Sequence, residues 1–276
     1  MPVDAKLLPD IVSLARRAGD AILGVYGQQF EVTNKADHSP LTLADTQSHD
    51  IIVQGLRALT PDIAVLSEEA SDIPYSERRQ WQRYWLVDPL DGTKEFVRGG
   101  DDYTVNIGLI EGGTPKLGVV FAPASARLHG GCVGAGAWLD EGEGRRLIRT
   151  RARGAQLTAV ASKSHLNQAT VDYLEAAVGL CDFVAVGSSL KFCIVAEGEA
   201  DIYPRASPTS EWDTAAGHAV LLAAGGVVYG PDGSPLRYGK RAFVNRAFVA
   251  TSGWEPPALD RFLEPFSGGG DLAEGV

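Results

Sequence analysis

Apolar residues recur at helical spacing across residues 7–26: Leu7, Leu8, Ile11, Leu14, Ala15, Ala18, Ile22 and Leu23 share one side, with Arg16, Arg17 and Asp20 opposite. The pattern predicts an amphipathic helix resting on a core. A second helical run follows Asp45, carrying Ile51, Ile52, Leu56 and Leu59 on one side, and Thr60-Pro61 ends it because proline cannot supply the next helical N–H. Between Trp85 and Pro123 the texture becomes β, with apolar runs at 85–87, 103–110 and 116–122. Glu111-Gly112-Gly113-Thr114 joins the last two as a hairpin would. Shorter strand signals follow at 128–133 and around Trp138. The stretch 140–154, rich in charge and glycine, is the expected boundary between an amino-terminal half (1–150) and a carboxy-terminal half (151–266). Beyond it, strands expected at 157–161, 183–186 and 201–203 alternate with helices at 168–178, 189–197 and 213–224, as in a layered α/β arrangement. The glycine-rich stretch 267–276 is expected to be a disordered tail, and no internal repeat is visible.

At 276 residues and 45% hydrophobic composition, the chain can bury a sizeable core. Its formal net charge of −10 offers no broad attraction to polyanions, which argues against a nucleic-acid or anionic-membrane binder. An anionic small substrate would need help from metal ions or a few placed cations. The three cysteines, Cys132, Cys181 and Cys193, form no CxxC pair and fit buried free thiols in a reducing compartment. The first residues lack the pattern of a secretory signal, and no segment approaches the roughly 20 apolar residues of a spanning helix. The expectation is a cytoplasmic protein without a transmembrane segment; its oligomeric state is not readable from the sequence.

The apolar run 85–87 leads directly into Asp88-Pro89-Leu90-Asp91-Gly92-Thr93. Two carboxylates at a strand end repel each other unless a cation or proton lies between them. The same residues equally suit a solvated turn that caps a following helix, and spacing leaves both readings open. Glu68 closes a short apolar run in Leu66-Ser67-Glu68-Glu69, and Asp213 opens a small-residue helix, where an acid also favours the positive end of the helix dipole. Asp45 ends a polar loop where a capping residue would stand. Carboxylates on separate strand ends, without a matching His or Cys cluster, suit Mg²⁺ or Mn²⁺ better than zinc. The five histidines share no ligand spacing and are expected to be mostly solvated or structural.

Taken jointly, Asp88-Pro89-Leu90-Asp91-Gly92-Thr93-Lys94-Glu95-Phe96, the upstream Ser67-Glu68-Glu69 and the downstream Trp212-Asp213-Thr214-Ala215-Ala216-Gly217-His218 resemble the inositol monophosphatase superfamily of metal-dependent, lithium-sensitive phosphatases. The likeness runs over about residues 7–266, with the motifs in the expected order. Within it, Gly187-Ser188-Ser189-Leu190-Lys191-Phe192-Cys193, followed by Ala196-Glu197-Gly198 and Tyr203-Pro204-Arg205, looks like the CysQ-type 3′(2′),5′-bisphosphate nucleotidase branch.

The resemblance implies a mixed α/β, five-layer α-β-α-β-α sandwich with its active site between the halves. It also implies a phosphomonoesterase that removes the 3′-phosphate of adenosine 3′,5′-bisphosphate (PAP) by direct water attack, linked to sulfate assimilation. By the same likeness, Glu68, Asp88, Asp91, Asp213 and the Leu90 carbonyl are ligands of about two or three Mg²⁺ ions, Mn²⁺ being a substitute. Thr93 with Asp45 would orient and deprotonate the water, and the Gly92 and Thr93 backbone would bind phosphate. Ser188, Lys191, Arg205 and, by position only, His165 become nucleotide contacts, although Lys191 equally reads as a solvated helix residue. The implied partner is a small phosphorylated nucleotide rather than a nucleic-acid polymer. Activity on inositol monophosphate or fructose 1,6-bisphosphate, and a non-catalytic metal- or nucleotide-binding regulator, stand as the alternatives.

Overall fold

The computed structural model of the chain describes residues 3–26, 33–34, 40–162, 166–179 and 181–263. Elements are labelled in chain order. Helix α1 (Leu8–Val25) is followed by a two-stranded ribbon of β1 (Thr33–Asn34) and β2 (Pro40–Leu41), then helix α2 (Leu43–Leu59). Strands β3 (Ala64–Ser67), β4 (Arg83–Asp91), β5 (Thr104–Glu111), β6 (Thr114–Ala122), β7 (Arg127–Cys132), β8 (Gly136–Asp140) and β9 (Arg145–Ile148) form a seven-stranded sheet in sequential order. Only β3 and β4 run parallel; the remaining neighbours are antiparallel. Short helices α3 (Tyr75–Arg78) and α4 (Thr93–Val97) flank β4.

The later part of the chain contributes β10 (Thr158–Ser162), α5 (Gln168–Ala177), β11 (Asp182–Val186), α6 (Leu190–Ala196), β12 (Ile202–Arg205), β13 (Thr209–Ser210), α7 (Glu211–Ala224), β14 (Val227–Tyr229), β15 (Val244–Asn245) and β16 (Phe248–Thr251). Five of its strands make a second sheet in the order β11-β10-β12-β16-β14, while β13 and β15 pair separately.

Three buried clusters define the layering. Ile11, Ala18 and Ile22 of α1 with Ile52 and Leu56 of α2 pack on Trp85, Val87, Ile107 and Leu109, one face of the larger sheet. Its opposite face, through Leu86, Ile110 and Val120, meets Phe192 and Val195 of α6 and Ala216 and Val220 of α7, which also cover Phe248 and Ala250 of the second sheet. Tyr173 and Leu174 of α5 close the far side on Ala159, Ile202 and Val249. The order is α-β-α-β-α, as expected. Alternation within each strand explains it: neighbouring side chains point to opposite faces, so both faces of an apolar strand need a cover.

Helix α7 lies close to the larger sheet because glycines make room for it. Gly108, Gly118 and Gly131 stand side by side in register on β5, β6 and β7. A Cβ on Gly118 would sit 2.2 Å from the Ala216 carbonyl oxygen, and one on Gly131 would sit 2.8 Å from the Val220 Cα. This row fixes the depth at which α7, and the acid in its first turn, meets the sheet. A second tie holds α6: Glu197, just past its end, accepts hydrogen bonds at 2.8 Å from Arg127 and Arg146 and lies 2.8 Å from the buried His129 ring. Burial alone would raise the Glu197 carboxyl, but the His129 hydrogen bond and the two guanidinium charges outweigh it and hold it below the ordinary range.

The boundaries expected from periodicity hold to within a few residues for α1, α5, α6 and α7. The hairpin is present, and Gly112 and Gly113 take φ of 55° and 73°, the paired positive values a two-residue turn between twisted strands requires. Helix α2 starts earlier than expected, at Leu43, so Asp45 lies within its first turn. The charged, glycine-rich stretch 140–154 is not all linker, because β9 lies inside it and pairs with β8 as the sheet's edge. Residues 267–276 and His165 lie outside the described residues. Among the described residues no helix is long and apolar enough to cross a membrane.

Gly118→Ala is expected to destabilise the protein by about 2–4 kcal/mol, because the contact is with backbone that cannot swing aside. Urea denaturation followed by circular dichroism measures this, and a loss below about 0.5 kcal/mol would show that α7 can shift freely.

Candidate active site

The carboxyl-terminal ends of β3 and β4 lie side by side, and both run into acids. Pairing continues one residue past β3, where the Glu68 N–H donates to the Val87 carbonyl at 3.0 Å. Strand β4 continues through Asp88 to Asp91, with an irregular register between them where Pro89 cannot donate to the ladder. Asp88 is buried and Asp91 half-buried, so the reading of this segment as a solvated turn does not hold. The Leu90 N–H donates to Asp88 Oδ1 at 3.1 Å, folding the segment back on itself. Gly92 then takes φ +91°, where a Cβ would lie 2.7 Å from the Asp102 carbonyl oxygen, and Thr93 opens α4.

One polar stripe of α2 holds these segments in place. Asp45 Oδ2 accepts from the Thr42 N–H (2.8 Å) and hydroxyl (2.7 Å), closing a capping box. Its Oδ1 accepts from the Thr93 hydroxyl at 3.1 Å, a hydrogen that Thr93 also directs at the Leu90 carbonyl, 3.0 Å away. One turn on, Ser48 donates to the Pro89 carbonyl at 2.7 Å, and His49 Nδ1 lies 2.8 Å from the Ser67 hydroxyl, beside Glu68. Positions 45, 48 and 49 share a helix face. Capping and a role in the cleft therefore coexist in Asp45, where the sequence offered them as alternatives.

Asp213 arrives from the other side. It is the third residue of α7, and its Oδ2 accepts the Ser210 N–H at 3.0 Å in a second capping box. Burial, then the negative charges of Asp91 and Glu68, raise its carboxyl well above the ordinary range.

Glu68, Asp88, Leu90, Asp91, Gly92, Thr93, Ser188, Lys191, Arg205 and Asp213 all line one cleft of about 270 Å³. Asp45 reaches it through Thr93. Lys191 is 4% exposed, its ammonium donates to the Ser188 carbonyl, and it lies 5.5 Å from the centroid of the Tyr203 ring. It is therefore not the solvated helix residue that spacing allowed. Burial, assisted by Arg205, lowers its pKa to about 8, while Asp91, Glu95 and Asp102 oppose the shift. The Arg205 Nε is buried without a hydrogen-bond partner among the described atoms.

The cleft thus brings acids together with the cations Lys191 and Arg205, and Lys191 feels the charge of Asp91. Its donors at the acidic end are all oxygens, with no imidazole or thiol among the lining residues, which suits a hard divalent cation. Among the described residues no three acidic, imidazole or thiol side chains are already drawn together as a finished coordination shell. Burial first, and then the charges of Asp91 and Glu68, raise the Asp213 carboxyl, so a cation beside these acids would favour its charged form.

Sequence reasoning passed over several residues here. Tyr203, Phe192, Thr209 and Ser189 also line the cleft, and Thr104 and Asn106 hydrogen-bond to Ser189 from behind it. Thr104 and Asn106 had read only as strand positions; polar residues inside an otherwise apolar run were the available signal. Ser48 and His49 carried no signal beyond polarity on an amphipathic helix. Two further histidines are structural: His129 bonds Glu197, and His218 meets the Tyr238 hydroxyl at 3.0 Å, its pKa lowered by burial to about 3.

If repulsion dominates the acidic end, Asp213→Asn raises Tm in metal-free buffer at pH 7 by about 2–4 °C, roughly 1 kcal/mol, since Asn keeps the cap acceptor. The raised carboxyl gives the sign: its contribution is fully present below the unfolded pKa and lost as pH rises through the folded one, so the gain should shrink on acidification. Calorimetry at pH 5 and 7 checks this, and a lower Tm in the variant at pH 7 would refute it.

A model of the inositol monophosphatase family matches residues 5–261. The 3′(2′),5′-bisphosphate nucleotidase CysQ of Escherichia coli (strain K12) is 49% identical over 246 residues, covering 88% of this chain and 98% of that protein. The protein of the same name from Haemophilus influenzae is 32% identical over 252 residues, covering 90% of this chain and 94% of its own length. Among solved structures, CysQ from Bacteroides thetaiotaomicron superposes with a TM-score of 0.80 at 38% identity, covering 91% of this chain and 98% of that one. The inositol monophosphatase from Anabaena gives 0.72 at 25% identity, with 95% and 98% covered.

Proposed function

The chain belongs to the inositol monophosphatase family, and we propose that within it the protein is a 3′(2′),5′-bisphosphate nucleotidase that converts PAP to AMP and phosphate. The observation that carries this is that one cleft is lined both by the acids and by Lys191 and Arg205: a bisphosphate has one phosphate for the acids and their cation, and a second for Lys191 and Arg205. The 49% identity to a bisphosphate nucleotidase, spread over nearly its full length, supports the same assignment.

Glu68, Asp88, Asp91, Asp213 and the Leu90 carbonyl would hold the metal, read as about two or three Mg²⁺ ions with Mn²⁺ as a substitute. When bound, the metal supplies positive charge that acidifies a coordinated water and offsets charge on the phosphoryl oxygens. The protein's own part is positioning. Because the Thr93 hydroxyl hydrogen is directed to Asp45, the oxygen keeps its lone pairs turned outward, ready to accept a proton from water. That water attacks phosphorus in line as the bond to the ribose 3′-oxygen breaks, and its proton passes through Thr93 Oγ toward Asp45. No phosphoenzyme is needed.

The Gly92 and Thr93 N–H groups, at the start of α4, would bind the scissile phosphate. At the other end, the Arg205 guanidinium can grip the 5′-phosphate bidentately while Lys191 adds a point charge, with Ser188 beside them. A phosphate there would favour the charged form of Lys191 against its burial. His165, outside the described residues, completes the proposed nucleotide contacts. The proposed setting is the cytoplasm, where the reaction would clear a by-product of sulfate assimilation.

Two measurements test this. Across PAP, inositol 1-phosphate and fructose 1,6-bisphosphate with Mg²⁺, kcat/KM should be greatest for PAP by at least about tenfold; equal or reversed preference refutes the nucleotide assignment. Thr93→Ala should lower kcat by about 10²-fold or more with KM nearly unchanged. A change confined to KM would remove Thr93 from the proton path.

A further inference from the structure

The turn that carries Ser188 is held from the opposite half of the molecule. Ser188 takes φ +52°, a left-handed conformation that costs a non-glycine residue about 1–2 kcal/mol and persists only where its surroundings fix it. Its surroundings are the beginning of β5. The Ser188 hydroxyl lies 2.5 Å from Thr104 Oγ1, and the Ser189 hydroxyl lies 3.0 Å from the same atom. Ser189 donates to Asn106 Oδ1 at 2.7 Å, and Thr104 points at that oxygen from 3.2 Å. Thr104, Asn106 and Ser189 are buried, so the bonds among these three do not compete with water, while Ser188 is half-buried at the cleft. The Gly187 N–H donates to Asp102 Oδ2 at 3.1 Å, closing the turn's other end.

The Asn106 amide oxygen accepts from Ser189 and Thr104, while the Thr104 and Ser188 hydroxyls share a hydrogen bond in which either can donate. The Ser188 hydroxyl also accepts the Ser189 N–H at 2.5 Å. The Ser188 carbonyl is the acceptor on which the Lys191 ammonium rests. From the acidic end, Asp91 Oδ2 accepts the Ser189 N–H at 2.7 Å, which ties the same turn to the acid cluster.

We infer that Thr104 and Asn106 are positioning residues for nucleotide affinity: from β5 they hold the 187–189 turn in its left-handed form and so aim Lys191 at the second phosphate. This rests on the bisphosphate nucleotidase reading of the cleft. Neither residue lines the cleft, and neither has a part in the proton path through Thr93 and Asp45.

The test compares Thr104→Val, which keeps shape and β-branching but removes the hydroxyl, with Thr104→Ser, which restores it. Thr104→Val should raise KM for PAP and the Kd for AMP by about fivefold to tenfold, the worth of one buried hydrogen bond. It should leave kcat within about twofold and the inhibition constant of inorganic phosphate unchanged, because phosphate alone reads the metal end. Thr104→Ser should return both nucleotide values toward wild type. The inference is overturned if folded Thr104→Val binds PAP and AMP normally, if phosphate inhibition weakens in step with AMP, or if Thr104→Ser fails to rescue. Should Thr104→Val not fold, Thr104→Ala removes the same hydroxyl without presenting a methyl group to Ser188 and Ser189, and carries the same expectations. A wild type that ignores PAP but hydrolyses another phosphomonoester refutes the functional reading instead. The turn's role is then decided by whether Thr104→Val raises KM for that substrate without moving phosphate inhibition.

Discussion

Mutual repulsion among Glu68, Asp88, Asp91 and Asp213 is the constraint around which the molecule is arranged. Carboxylates crowded around one cleft are unfavourable unless a cation or protons lie among them, and the Asp213 carboxyl is raised first by burial and then by the charges of Asp91 and Glu68. The surrounding fold opposes it. Two parallel strand ends deliver Glu68 and Asp88 side by side, Asp91 follows on the same strand, and the glycine row on β5, β6 and β7 lets α7 come close enough to add Asp213. A cleft built against repulsion is already shaped for a multivalent cation and the anion that accompanies it.

The acids also do local structural work, which is how they are kept from turning to solvent. Asp45 and Asp213 both stand at the third position of a helix and close capping boxes with Thr42 and Ser210. A capping bond satisfies an otherwise orphan backbone N–H and fixes the rotamer, leaving the second carboxylate oxygen pointed at the cleft. Asp45 uses that oxygen on Thr93. Ser48 and His49 extend the principle to the segments on either side, so α2 is both a cover for the sheet and a brace for the acid-bearing strand ends. Backbone geometry and site geometry are the same thing here.

The cationic end follows a different logic. Lys191 is buried against Tyr203 and Phe192 and would prefer to be neutral, yet it faces acids that favour its charge. Its ammonium rests on the carbonyl of a strained turn that is held by the Thr104 hydroxyl and the Asn106 amide of the larger sheet. The Asp91 to Ser189 bond joins the two ends, so a bisphosphate would be recognised by one connected polar unit rather than by two independent patches.

Much of this was legible in the chain. Hydrophobic periodicity located the main helices and the long hairpin, because the periods of 3.6 and 2 follow directly from which faces must be buried. The motif around Asp88 to Thr93, with Glu68 and Asp213, indicated the acidic cleft through its family resemblance, whereas spacing alone left it equally readable as a capped turn. Periodicity did not reveal that capping and site roles coincide in Asp45 and Asp213, that Lys191 is buried rather than solvated, or that Gly108, Gly118 and Gly131 form one row. Each of these depends on register between strands or on contact between distant segments, and neither leaves a trace in local spacing. Thr104 and Asn106 are the clearest case. By sequence they are two polar positions in a strand; only the folding of residues 187–189 onto that strand, across more than 80 positions of chain, gives their hydroxyl and amide something to hold.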